Sequence, residues 1–304
     1  MKIETKHILT LSELTSKEFL ELIDYSIKLK KQSKMGSNKP LLKNKTLTMI
    51  FEKPSTRTRV SFETAIYQLG GHAINLSSNN TQLSRGESIE DTAKTLSQYT
   101  DCIMARVYDH SILDKLSKHA SVPVINGLSD SFHPCQILAD FMTIKEKKKT
   151  LKGLKIAWIG DGNNVCNSMI FGAALSGVTM TIATPKGFEP DKSTVKISQN
   201  VTDIELTTDP LKAAKNADVV VTDTYTSIHN KDSNKIKNFL PKYQVNDKIM
   251  SLAKKNAIFL HCLPAKREQE VTSSVIDGPQ SVIWDEAENR LHSQKALLLA
   301  LLHA

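Results

Sequence analysis

Cysteine, aromatic residues and long hydrophobic runs are all scarce in this sequence. Its four cysteines lie far apart, and no two follow the Cys-x-x-Cys spacing, which excludes dithiol redox motifs and zinc knuckles. The longest apolar runs, such as residues 296–302, are much shorter than the ~20 residues that span a bilayer. The N-terminus mixes charges of both signs and lacks the apolar core of a secretion signal. We therefore expect free thiols, a cytoplasmic location and no membrane partner.

Arginine is also scarce. Only six of the 40 basic residues are arginine, so we expect arginine mainly where its planar donor fork binds a carboxylate or a phosphate. The net charge of +8 is dispersed, and the longest basic run is Lys147-Lys148-Lys149. Because nucleic-acid-binding faces gather their charge into a stripe, we expect no nucleic-acid partner. Positive pockets that bind an anionic metabolite would explain the excess of basic over acidic residues equally well.

Strands and helices alternate along both halves of the chain. With 304 residues, of which 40% are apolar and 24% charged, the chain suits about two globular domains. Such alternation is typical of parallel sheets covered by helices on both faces. We predict an α/β fold, with two doubly wound parallel-sheet domains joined by interdomain helices. The predicted strands are residues 46–51, 72–76, 101–107, 122–125, 155–159, 178–183, 203–206, 219–222 and 257–260, with long helices at 134–149 and 286–302.

The first candidate site is the segment Phe-Glu-Lys-Pro-Ser-Thr-Arg-Thr-Arg, which ends a predicted strand and begins a helix. Helix N-termini bind anions through unpaired N–H groups and the positive end of the dipole. Here the hydroxyls of Ser55, Thr56 and Thr58 and the guanidiniums of Arg57 and Arg59 add further donors. The pattern favours a phosphate site. The alternative is a plain helix cap at Ser55 or Thr56, with the arginines facing solvent.

This segment and two others resemble motifs of a known family. Ser-Thr-Arg-Thr-Arg resembles the carbamoyl phosphate signature of the aspartate and ornithine carbamoyltransferases. His133-Pro134-Cys135-Gln136 and His261-Cys262-Leu263-Pro264 resemble two motifs of the ornithine branch, in the expected order. The agreement extends over nearly the whole chain. The resemblance implies transfer of the carbamoyl group from carbamoyl phosphate to the side-chain amine of L-ornithine, giving L-citrulline and phosphate.

The same resemblance implies the oligomeric state, the metabolic pathway and the substrate that each domain binds. It implies a homotrimer in arginine biosynthesis that uses no metal and no organic cofactor. Residues 1–147 are expected to bind carbamoyl phosphate, with the C-terminal helix, about 286–304, packing back on them. Residues 148–285 are expected to bind ornithine.

The resemblance also assigns site residues, and the reaction explains their types. A tetrahedral oxyanion with a phosphate leaving group needs cationic clamps and hydrogen-bond donors, and the attacking amine must lose a proton. Cys262, Arg106 and His133 are the implied catalytic residues, with Cys262 as proton acceptor. The implied carbamoyl phosphate contacts are Ser55, Thr56, Arg57, Thr58, Gln82, Arg106, His133, Gln136, Cys262, Leu263 and Arg290. The implied ornithine contacts are Asn164, Asp223, Ser227 and Ile228.

Each of these residue types also has a structural explanation. Gln82 suits a polar loop tip, and Arg290 suits an exposed i,i+4 pair with Glu286. His133 suits a helix cap or a buried ring, and Asp223 suits a turn cap after a strand. These alternatives remain open at the level of sequence.

One segment departs from the family pattern. Where ornithine enzymes read Ser-Met-Gly, this chain has Ser227-Ile228-His229, so a titratable ring replaces a glycine. The departure raises the alternative of a carbamoyltransferase for another amine, such as putrescine. Asp223 and Asn164, which suit an α-amino acid, favour ornithine. A nicotinamide site at Gly160-Asp161-Gly162 is disfavoured because the third glycine of that fingerprint is missing.

Overall fold

The computed structural model describes residues 1–77, 82–226 and 233–302. The chain forms two compact units. Unit 1 comprises residues 1–142 and 288–304, and unit 2 comprises residues 143–287. The chain leaves unit 1 within one helix and returns to it within another. Among the described residues, no helix is long and apolar enough to cross a membrane.

Unit 1 is built on a four-stranded parallel sheet. The elements of unit 1 in chain order are α1 (Ser16–Lys34), β1 (Thr46–Phe51), α2 (Thr56–Gln68), β2 (His72–Ser77), a 3-10 turn (Gln82–Arg85), α3 (Ile89–Leu96), β3 (Cys102–Arg106), α4 (His110–His119), β4 (Val124–Leu128) and α5 (Pro134–Lys148). The strand order is β2-β1-β3-β4. Every residue of β3 is buried, as expected for a parallel strand covered by helices on both faces. Helix α1 begins with a capping box, in which the side chains of Thr15 and Glu18 each accept the backbone N–H of the other residue.

Unit 2 is built on a five-stranded parallel sheet. The elements that follow α5 in the chain are β5 (Lys155–Ile159), α6 (Asn164–Ser176), β6 (Thr179–Ala183), α7 (Lys192–Ser198), β7 (Ile204–Thr207), α8 (Pro210–Ala214), β8 (Val219–Val221), a 3-10 turn (Ser233–Asn238), α9 (Asp247–Leu252), β9 (Ile258–Leu260), α10 (Ser273–Ile276) and α11 (Ile283–Leu301). Residues of α11 from 288 onward belong to unit 1. The strand order is β7-β6-β5-β8-β9. Trp158 on β5 is fully buried, and its indole N–H donates to the carbonyl of Asp161 at 3.0 Å.

The predicted α/β fold with parallel sheets is confirmed. The last helix begins at Ile283, three residues before the predicted start at Glu286. Ile283 is buried, as is Val282 immediately before the helix.

The topology places the predicted site residues at one edge of each sheet. In unit 1 the chain leaves β1 toward Ser55, β3 at Arg106 and β4 toward His133. In unit 2 it leaves β5 toward Asn164, β8 toward Asp223 and β9 toward Cys262. Ligands of open α/β sheets bind outside these carboxyl ends.

Candidate active site

In unit 1, the start of α2 presents donors to solvent. Ser55 caps the helix, because its hydroxyl accepts the N–H of Thr58 at 3.3 Å. Thr56 and Arg57 are exposed in the first turn, where backbone N–H groups lack helical partners. Arg59 instead pairs with Glu63 on the exposed face at 2.9 Å. Ser55 therefore acts as a helix cap, and the solvent-facing alternative holds for Arg59.

Two guanidiniums converge on the hydroxyl of Thr58. This oxygen accepts from Arg106 Nη1 at 3.4 Å and from Arg290 Nη2 at 3.3 Å. Arg106 ends β3, and Arg290 lies on the part of α11 that belongs to unit 1. Arg290 is only 3% exposed, so the alternative of an exposed pair with Glu286 is wrong. Two buried cations beside a helix N-terminus form a strongly positive site.

The amide of Gln136 has a fixed orientation. Its carbonyl oxygen accepts from Arg290 Nη1 at 2.6 Å, and its Nε2 donates to Asp140 Oδ1 at 2.8 Å. All three side chains are buried. Asp140 is not among the predicted site residues, although it lies four residues after Gln136 on the same helix. This spacing brings two side chains together.

His133 is a neutral donor in this cationic cluster. Burial lowers the pKa of its imidazole well below 6.5, and the charges of Arg290, Arg106 and Arg57 lower it further. The ring is therefore uncharged at neutral pH and carries a single N–H. The buried-ring alternative is correct as to burial, but the surrounding charges make His133 part of the same cluster.

Gln82 lies apart from the other predictions in unit 1. It is exposed at the start of a 3-10 turn, and its backbone carbonyl accepts from Glu87 N at 3.1 Å. Among the described residues, no side-chain hydrogen bond links Gln82 to Thr58, Arg106 or Arg290. Its predicted contact with carbamoyl phosphate stays a prediction.

In unit 2, three elements meet at the carboxylate of Asp223. Asp223 Oδ2 accepts from Asn163 Nδ2 at 2.8 Å, and Oδ1 accepts from Cys262 Sγ at 3.1 Å. Oδ1 also accepts the backbone N–H of Thr224 at 2.7 Å, so Asp223 caps its turn as well. The predicted Asn164 is buried at the first position of α6, beside Asn163.

Asn163 was missed because helix capping accounts for an asparagine at this position. Its Oδ1 caps α6 by accepting from Val165 N at 3.0 Å and Cys166 N at 3.2 Å. The amide nitrogen remains to donate to Asp223. The signal in the sequence was the Asn-Asn pair, which supplies two amides where one cap suffices.

A second buried carboxylate lies near Asp223. Asp161 Oδ2 forms an ion pair with the ammonium of Lys235, which also lies 5.2 Å from the centroid of the Phe188 ring. Burial raises the pKa of Asp161; Lys235 opposes this shift, and the charge of Asp223 adds to it. The ion pair balances the charge next to Asp223.

Asp223, His261 and Cys262 form the group in the described residues whose donor atoms are close enough for a metal, all within 4.8 Å of one another. However, both ring nitrogens of His261 are engaged. Nδ1 accepts the N–H of Leu263 at 2.9 Å, and Nε2 faces Glu270 Oε1 at 3.1 Å. A metal would have to break one of these hydrogen bonds, so the donor set fits a hydrogen-bonded site better than a metal centre.

Two predicted ornithine contacts, Ser227 and Ile228, lie outside the described residues, as does His229. Cys262 is partly exposed, whereas the other three cysteines are buried free thiols. Its thiol is therefore the most accessible of the four.

Comparison with known proteins identifies the class. Residues 6–146 match the description "Aspartate/ornithine carbamoyltransferase, carbamoyl-P binding domain", and residues 152–301 match "Aspartate/ornithine carbamoyltransferase, Asp/Orn binding domain". The chain belongs to the aspartate/ornithine carbamoyltransferase family.

The relatives narrow the class to one branch. The chain is 58% identical to an ornithine carbamoyltransferase of Cenarchaeum symbiosum, with 99% of each chain covered. It is similar to the solved ornithine carbamoyltransferase of Pyrococcus furiosus, with a TM-score of 0.94, 49% identity, and 98% of this chain and 97% of that one covered. An anabolic ornithine carbamoyltransferase of Campylobacter jejuni gives a TM-score of 0.92 and 42% identity over 99% of this chain and 100% of that one.

Proposed function

We propose that this enzyme transfers the carbamoyl group of carbamoyl phosphate to the side-chain amine of L-ornithine, giving L-citrulline and phosphate. Unit 1 binds carbamoyl phosphate and unit 2 binds ornithine. The observation that carries the proposal is the convergence of Arg106 and Arg290 on the Thr58 hydroxyl at the N-terminus of α2. Membership of the family and relatives named for this activity support it.

The phosphate is held at the start of α2. The Thr58 oxygen accepts two hydrogen bonds from guanidiniums, which leaves its hydroxyl proton to donate to a phosphate oxygen. Ser55, Thr56 and Arg57 add hydroxyl, N–H and guanidinium donors at the positive end of the helix. Phosphate is the leaving group, so stabilising its charge lowers the barrier to cleavage of the C–O bond.

Arg106, His133 and Gln136 polarise the carbamoyl group. In the transition state the amine nitrogen bonds to the carbonyl carbon, and negative charge develops on the carbonyl oxygen. The N–H of neutral His133 and the guanidinium of Arg106 are donors for that oxygen. Gln136, held by Arg290 and Asp140, is fixed in orientation before substrate binds. Such preorganisation avoids reorganisation during the reaction.

Asp223 is the anchor for the ornithine α-ammonium. A carboxylate offers about four acceptor positions, and described neighbours occupy three of them, which leaves one for a cation. Asn164, together with Ser227 and Ile228, completes the amino-acid contacts that the sequence predicts. Leu263 contributes its carbonyl to the carbamoyl nitrogen.

Cys262 removes the proton from the attacking amine. The amine must lose this proton as the new C–N bond forms. The thiol donates its own proton to Asp223 Oδ1 at 3.1 Å, so the sulfur takes up the amine proton as its own proton passes to that carboxylate oxygen. We propose that Cys262 and Asp223 act together in this transfer, without a metal or an organic cofactor.

We further propose a homotrimer that works in arginine biosynthesis in the cytoplasm. Val60 and Tyr67 on α2 and Ile74 on β2 are exposed in unit 1, Tyr67 to 78%. Exposed apolar side chains of this kind favour contact with another copy. Light scattering after gel filtration tests this part, since the proposal expects three times the 33.8 kDa chain mass. The Campylobacter jejuni relative, which is named as an anabolic enzyme, supports the biosynthetic direction.

The experiment that tests the activity is a colorimetric citrulline assay with a panel of amines. Purified protein, carbamoyl phosphate and L-ornithine should give citrulline, while putrescine should turn over at least 100-fold less efficiently. Preference for putrescine would replace the ornithine proposal with the alternative raised by the Ser227–His229 departure. If neither citrulline nor carbamoylated putrescine forms, the result would indicate a carbamoyl phosphate binder without catalytic activity.

A further inference from the structure

Unit 2 contains a buried carboxylate and imidazole pair that the proposed reaction does not use. His261 Nε2 lies 3.1 Å from Glu270 Oε1, and both side chains are completely buried. Neither residue is among the predicted site residues. His261 nevertheless directly precedes Cys262 and Leu263, to which the proposed function gives the proton transfer and a carbonyl contact.

The hydrogen bonds fix the tautomer of His261. Nδ1 accepts the backbone N–H of Leu263 at 2.9 Å, and a ring nitrogen accepts only when it carries no proton. The proton therefore sits on Nε2 and points to Glu270 Oε1. That same oxygen accepts the N–H of Lys266 at 2.5 Å. One carboxylate oxygen thus holds both the ring and the loop after Pro264.

This arrangement constrains the backbone on both sides of Cys262. Leu263 has a φ of +56°, a left-handed conformation that is unfavourable for a leucine, and its N–H is tied to the ring. On the other side, the N–H of His261 donates to Glu286 Oε2 at 2.9 Å. The direction of the Cys262 thiol, which donates to Asp223, depends on this short segment.

Burial of the second carboxylate oxygen of Glu270 lowers the free energy of unfolding. Oε2 is buried and has no hydrogen-bond partner among the described residues. An unsatisfied buried acceptor in a native protein calls for an explanation. Fold stability alone does not explain why Glu270 is present, because an apolar side chain at this position would leave no buried acceptor unsatisfied.

We infer that Glu270 is a positioning residue for carbamoyl transfer. Through the Nε2 proton of His261 it holds the ring that fixes Leu263, and it thereby directs the Cys262 thiol and the Leu263 carbonyl. The inference rests on the proposed function, in which these two groups act on the amine and on the carbamoyl nitrogen.

The first test compares two isosteric changes of buried carboxylates in unit 2. Glu270→Gln removes the charge that holds the ring. Asp218→Asn is the control, because Asp218 is also a buried carboxylate but pairs with Lys254 at the opposite edge of the sheet. We expect Glu270→Gln to lower kcat at least tenfold with both KM values within threefold, while Asp218→Asn keeps kcat within twofold. Wild-type kcat in Glu270→Gln, or an equal loss in the control, overturns the inference.

The second test needs no turnover. Iodoacetamide should alkylate Cys262 selectively, because the other three cysteines are buried. We expect the Cys262 rate to change at least threefold in Glu270→Gln and to stay at the wild-type value in Asp218→Asn. An unchanged rate in Glu270→Gln overturns the inference. If wild-type protein makes no citrulline, the proposed function fails, and the alkylation rates still decide whether Glu270 holds this segment.

A third variant covers the case in which Glu270→Gln does not fold. Glu270→Asp keeps the charge and shortens its reach by one methylene. We expect it to lower kcat at least threefold and to change the alkylation rate of Cys262 from the wild-type value. Wild-type values in both measurements overturn the inference.

Discussion

Replacing Arg290 with lysine tests the cationic cluster of unit 1 most selectively. Arg290→Lys keeps the positive charge and removes the planar fork that serves Gln136 Oε1 and Thr58 Oγ1 together. A lysine ammonium is a point charge on a flexible stem and cannot reproduce both directions. The loss of one hydrogen bond from a charged group is worth about 1.5–3 kcal/mol. With about 1.36 kcal/mol per tenfold in rate, kcat/KM for carbamoyl phosphate should fall about 10- to 150-fold.

The assay is steady-state citrulline formation with carbamoyl phosphate varied at saturating ornithine. Arg267→Lys is the matched control, because Arg267 makes an equally forked pair with Asp277, but in solvent. Exposed pairs contribute little, so the control should stay within twofold of wild type. The ornithine KM should change less than threefold in both variants. A loss below threefold in Arg290→Lys would refute the assignment of Arg290 to the phosphate site.

Three further predictions concern Arg57 at the start of α2, Asp223 in unit 2 and the partly buried His7. Arg57→Lys should cost about 2–4 kcal/mol of transition-state stabilisation, whereas Arg59→Lys, which changes a surface pair, should leave kcat/KM within twofold; equal effects would contradict the assignment. Asp223→Asn should raise the ornithine KM about tenfold or more through loss of a charged acceptor, with the carbamoyl phosphate KM nearly unchanged, and a reversed pattern would move ornithine elsewhere. Burial, aided by Lys6, lowers the pKa of His7 to about 4. Because the unfolded chain binds this proton below about pH 6.5 and the folded chain does not, stability should fall as the pH drops from about 6.5 toward 4. The decline in Tm over that window should be smaller in His7→Gln, and parallel Tm curves would show that His7 does not cause it.

The fold was largely accessible from the sequence, because alternating apolar strands and amphipathic helices leave strong periodic signals. β1 (Thr46–Phe51) and β5 (Lys155–Ile159) have the predicted bounds. The differences lie at element ends, such as the start of α11, which is three residues earlier than predicted.

The groups that hold the site residues in place could not be predicted in the same way. Asp140 and Asn163 act through Gln136 and Asp223, so their roles depend on distances that a sequence does not contain. Glu270 is separated from His261 by eight residues of loop, and only the folded chain brings its oxygen to the imidazole. Motifs identify the groups that meet substrate, because the reaction dictates their chemistry. Supporting groups need only the right geometry.

The most direct test of the central claim follows the carbamoyl carbon itself. Carbamoyl phosphate labelled with ¹³C at the carbonyl, incubated with enzyme and unlabelled L-ornithine, is monitored by NMR together with phosphate release. The proposed reaction predicts that the label appears in the ureido carbon of citrulline, with one phosphate released for each citrulline formed. Phosphate release without labelled citrulline would contradict it, because the carbamoyl group would then have passed to water instead of ornithine.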